Sequence, residues 1–125
     1  MVWHLPRLAL LLLAVQLHLR RHGLASTLAR YPGRLKGRIS LAPAVAAARW
    51  LRRFSSLRPS ARCLERAITL RYWLAQKGFE SHLKIGTQRG ARGFAAHAWV
   101  EVAGVPVLEA STVRADFSAF LGPDL

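Results

Sequence analysis

At Gly78 the hydrophobic period of the chain changes, and that change constrains the fold more than any other feature. Before it, apolar residues recur at helical spacing; after it, they alternate in twos. Helices that come first and strands that follow define an α+β domain, with N-terminal helices leading into a small antiparallel sheet. A chain of 125 residues, 52% of them hydrophobic, builds one domain with a modest core, so residues 1–125 are read as a single unit.

Within the helical half, Pro6 suits the first turn of a helix running to about His22, with Gly23 as its stop. This apolar helix occupies residues 1–24. Leu10, Leu13 and Leu17 share a face, yet Leu8, Leu11, Leu12 and Leu19 cover much of the rest. A helix apolar on most sides asks for burial on most sides, and a partner is expected to cover part of it. After a short helical turn and a loop through Pro32, Gly33 and Gly37, Ser40 reads as the N-cap of a second helix ending near Phe54. Its apolar side is Val45, Ala48, Leu51 and Phe54, with Arg49, Arg52 and Arg53 on the other. A third helix, capped by Ser60, carries Cys63, Ala67, Leu70 and Leu74 until Gly78 ends it.

In the second half, Ser81 to Thr87 reads as a strand with Leu83 and Ile85 on one face and His82 and Lys84 on the other. Gln88 to Gly93 reads as an exposed loop. Phe94 to Val102 is the clearest strand, with His97, Trp99 and Glu101 on one face and Ala98, Val100 and Val102 on the other. Trp99 reads as core or cleft wall and Glu101 as a solvent-facing or salt-bridged residue. A turn at Ala103 and Gly104 leads to a last strand, Val105 to about Ala110. The tail holds Phe117, Phe120 and Leu121 as packing candidates. The chain has no internal repeat.

The balance of 19 Lys and Arg against 6 Asp and Glu gives a net charge of +13, a field that favours acidic partners without choosing among peptide, protein, nucleic acid and anionic membrane. The lone cysteine cannot make an internal disulfide, so cytosol is the default compartment. The run from Leu8 to Val15 is too short to span a bilayer and lacks a small-residue cleavage site. The N-terminal helix is read first as packed on the domain or a partner, next as a membrane-surface helix, and last as a signal or anchor. The histidines have no metal-ligand spacing, and no metal or cofactor is called for.

Three residues carry the chemistry. Cys63 falls in the first turn of its helix, where unpaired backbone N–H groups and the positive end of the helix dipole favour negative charge, and Arg62 and Arg66 add to it. A thiol nucleophile needs a base that takes its proton and returns it to the leaving amine, and a group that orients that base. His97 and Glu109 supply those types in order on successive strands. The hairpin sets a condition. With a two-residue turn at Ala103 and Gly104, Glu109 sits opposite Ala98 and faces away from His97. With a three-residue loop it sits opposite Trp99, on His97's face. Glu109 as orienting acid therefore predicts the three-residue loop, and a tight turn predicts Glu109 as a surface residue. The backbone N–H of Cys63 is the natural oxyanion donor.

Cys-Leu-Glu-Arg-Ala at 63–67, the strand Leu83 to Gly86, and above all His97-Ala98-Trp99-Val100-Glu101-Val102 with Gly104 resemble the transglutaminase-like cysteine protease of lasso peptide biosynthesis, the B protein, in its split form. The resemblance covers roughly Ala44 to Glu109, with a catalytic core at 44–110. It implies a transglutaminase-like, papain-like fold. The implied activity is removal of the leader peptide from a ribosomally made precursor, in company with a separate leader-recognition protein and a lasso cyclase. Cys63 matches the family's nucleophile and His97 its base. Where the family usually has Asp this chain has Glu109, and Asp116 is the substitute to test.

Two other readings compete. One is a basic binding module of the same fold without catalysis. Its aromatics are not interleaved with basic residues as base stacking requires, which argues against nucleic acid. The other keeps the thiol and transfers the acyl group to an amine.

Overall fold

The computed structural model describes residues 4–56, 63–90, 93–107 and 118–119. Three helices come first: α1 (His4–Arg30), α2 (Leu41–Ser56) and α3 (Cys63–Gln76). They lead into β1 (His82–Gly90), β2 (Gly93–Val102), β3 (Val105–Pro106) and β4 (Ser118–Ala119), an antiparallel sheet of order β3-β2-β1-β4.

α3 lies at the centre of the packing, against α1 and α2 and against the sheet. Its buried residues, Ala67, Ile68, Leu70 and Leu74, meet Leu8, Leu12 and Val15 of α1, Ala44, Ala47 and Leu51 of α2, and Leu83, Ile85, Ala98, Val100 and Val102 of the strands in one core. Each large aliphatic side chain taken fully from water there contributes about 1.5–3 kcal/mol. The helix stops as its sequence predicts. Gly78 takes a positive φ of 84°, its N–H donates to Ala75 O at 3.0 Å, and Phe79 N–H donates to Leu74 O at 2.9 Å. That pair of bonds is a Schellman ending, with Phe79 packed against the core beyond it.

α1 breaks where predicted, at Gly23 with φ 80°, and the Thr27 hydroxyl donates to Gly23 O at 2.6 Å. The sequence singles out no inward face for this helix, and the structure selects one. Leu8, Leu12 and Val15 go inside, while Leu10 and Leu17 are 65% and 52% exposed. Leucines surround this helix, so periodicity alone could not choose the inward face; polar pairing helps to fix it. Gln16, buried, donates from Nε2 to Glu65 Oε2 of α3 at 3.0 Å. α2 begins directly after Ser40, and Arg49, Arg52 and Arg53 are exposed. Among the described residues no helix is long and apolar enough to cross a membrane.

The sheet departs from the sequence reading at three places. Gln88 to Gly90 belong to β1, paired with Ala95, Phe94 and Gly93, so the expected loop shrinks to the tip of a hairpin. Arg89 and Gly90 read as loop, but ladder pairing keeps the backbone extended. The C-terminal tail supplies an edge strand, with Ser118 and Ala119 paired to Thr87 and Gly86. Finally, the turn after β2 is two residues long, Ala103 and Gly104, joining Val102 to Val105. Both turn residues have positive φ, 52° and 79°, the conformation whose twist matches an antiparallel pair. The three-residue loop expected with Glu109 as orienting acid is not formed.

Candidate active site

Cys63 is the first residue of α3 and is half-buried. Its position follows from the sequence: apolar spacing from Cys63 to Leu74 draws that helix onto the sheet, and its N-terminal end is left at the rim. Glu65, in the same first turn, complements the positive end of the helix dipole while accepting from Gln16. Its backbone oxygen accepts from the Thr69 hydroxyl at 2.7 Å. The turn that carries the thiol is thus tied both to α1 and to its own helix.

Cys63 lines a small, half-open pocket of about 50 Å³. Arg66 and Ala67 of α3 border it, Arg52 reaches it from α2, and Ala98, Trp99 and Val100 of β2 form its far wall. The Cys63 helix and the histidine strand therefore meet at one place, as expected, with Trp99 as a wall residue. His97 precedes that wall by one residue and is not among the side chains that line the pocket. Its ring lies against the Trp99 ring, centroids 5.8 Å apart and planes 22° from parallel. Arg52 and Arg66 make the pocket positive, which suits an acidic chain or a developing oxyanion.

Glu109 and Asp116 lie outside the described residues. β3 pairs Glu101 with Pro106, Val107 N–H donates to Val100 O at 2.8 Å, and a ladder continued at that register would set Glu109 opposite Ala98. The strand itself ends at Pro106.

Glu101 corrects the solvent-facing half of its sequence reading. It is 1% exposed, and its Oε2 accepts from the Trp99 indole N–H at 2.8 Å. Alternation puts it on the face of Trp99 and His97, but alternation cannot tell a solvated face from a covered one. The signal available was the indole two residues before it, a donor that needs an acceptor when buried.

The chain thus has an α+β architecture in which a cysteine begins a helix packed on an antiparallel sheet and a histidine lies on the second strand. The family model of the Transglutaminase-like superfamily matches residues 9–121, and the chain belongs to that family. Its members are generally thiol enzymes, so a cysteine hydrolase or transferase is the class of activity concerned. Neither a curated protein nor a solved structure matches the chain.

Proposed function

We propose that this chain is a cysteine peptidase that removes the leader from a ribosomally made lasso peptide precursor. The observation that carries the reading is the shared pocket: the helix start bearing Cys63 and the strand segment following His97 form two of its walls. The sequence likeness of 63–67 and 97–102 to the split lasso peptide protease supplies the substrate class. The partners are the precursor, a separate leader-recognition protein and a lasso cyclase.

In this mechanism His97 takes the Cys63 proton as Sγ attacks the scissile carbonyl. The backbone N–H at the helix start stabilises the oxyanion. Collapse breaks the C–N bond, and His97 returns the proton to the leaving amine, the new amino terminus. Water, deprotonated by His97, then hydrolyses the thioester and frees the leader carboxylate. The carboxylate that orients His97 is assigned to Glu109, which needs the chain to leave ladder register after Val107. Asp116 is the alternative. Loss of activity in Glu109→Gln but not in Asp116→Asn settles which one acts.

The test is the mass of the products when a precursor peptide, the leader-recognition protein and this chain are incubated together. Two fragments summing to the precursor plus one water support the peptidase. A fragment carrying an added amine supports acyl transfer, and an intact precursor despite binding supports a module without catalysis.

A further inference from the structure

We infer that Glu101 is a positioning residue for His97, acting through Trp99. This rests on the reading of His97 as the base, and it concerns what holds that base in place.

Three residues follow one another along one face of β2. His97 pairs across the ladder with Gly86 of β1, which has no side chain. The ring beside it on its own strand is Trp99, stacked at 5.8 Å. Where the indole lies therefore bears on where the imidazole can lie. Trp99 is 3% exposed, and its own orientation is fixed at the far end, where its N–H donates 2.8 Å to Glu101 Oε2. Two χ angles set an indole; a short hydrogen bond at its polar edge selects one setting.

A carboxylate is an expensive choice for this role if packing were the only purpose. Glu101 is 1% exposed, and burying a charge that far from water is unfavourable unless it is well bonded. Across the ladder it faces His82, which is 3.4 Å from Glu80. The apolar core takes Val100 and Val102 on the opposite face of the strand, while Glu101 shares its face with Trp99 and His97. What an apolar residue would not do is hold the indole edge. The series from carboxylate to indole to imidazole transmits one fixed point along about three residues of strand to the base, and small misplacements of a base are costly, roughly 100-fold for about 1 Å.

The experiment compares Glu101→Gln, Glu101→Ala and His97→Ala with the wild type in two assays. The first is precursor cleavage with the leader-recognition protein, resolved into kcat and KM. The second is the rate of Cys63 alkylation by iodoacetamide, which needs no peptide substrate. Thermal melting is recorded for each variant, so that a loss of folded protein is read separately. Glu101→Ala is expected to lower kcat roughly 10- to 100-fold with KM unchanged and to slow alkylation as His97→Ala does. Glu101→Gln, whose amide oxygen still accepts from the indole, is expected to recover most of both. Glu101→Ala with wild-type kcat and alkylation per folded molecule would overturn the inference, as would Glu101→Gln behaving like Glu101→Ala. Should the wild type leave the precursor intact, the substrate assignment fails while alkylation still reads Glu101. If His97→Ala leaves alkylation unchanged, His97 is not the base and the inference falls with it.

Discussion

Arg71 illustrates how much one side chain can decide without touching the site. It sits on α3, is 2% exposed, and its Nη2 donates to Tyr31 O at 3.0 Å and to Leu28 O at 3.4 Å. Burial pulls its guanidinium below the ordinary arginine value. A base depressed in the folded state costs stability while charged, and that cost is relieved as pH rises from the lowered folded value to the ordinary arginine value. In exchange Arg71 closes the end of α1 onto α3. Its stem runs over Gly33, where an added Cβ would come within 2.6 Å of Arg71 Cγ and 2.5 Å of Cδ. Gly33→Ala should therefore destabilise by about 1–3 kcal/mol, read as a lower melting temperature. Unchanged melting would mean that the stem moves aside freely. None of this was legible in the sequence, where Arg71 falls among helical residues without a mark of burial and Gly33 reads only as a loop breaker.

At the scale of the element, α3 was the most legible part. The spacing of Cys63, Ala67, Leu70 and Leu74 and the glycine after them gave its stop, because helix ends carry local signals, while its expected cap, Ser60, lies outside the described residues. Gly78→Ala tests that stop. A left-handed φ strains any side chain there, and a loss of about 1 kcal/mol is expected on denaturant unfolding, with an unaltered midpoint contradicting it. The elements read less well were those set by distant partners. The inward face of α1 depends on Gln16 meeting Glu65, a contact across 49 positions. β1 runs to Gly90 because of its pairing with β2, although Gln88 to Gly90 lack strand propensity. The Ala103-Gly104 turn was legible as a turn, but its length was argued from Glu109, and a functional wish is a poor guide to backbone geometry.

For the whole molecule, the exposed leucines and the charge pull in different directions. A net charge of +13 keeps copies of the chain apart. Leu10 and Leu17 at 65% and 52% exposure, one turn pair apart on α1, draw apolar partners. Poor behaviour of the isolated chain is expected on that account. The double variant Leu10→Gln, Leu17→Gln should stay monomeric at concentrations where the wild type associates, measured by light scattering at equal ionic strength. Equal association of the two would place the sticky surface elsewhere.

The central claim is that Cys63 acts as a nucleophile on a peptide bond, and one comparison bears on it most directly. Wild type and Cys63→Ala, matched in melting temperature, are incubated with the precursor and the leader-recognition protein, and the peptide is followed by mass spectrometry. The account predicts leader and core fragments with the wild type and an intact precursor with Cys63→Ala. Cleavage that persists in Cys63→Ala would contradict it.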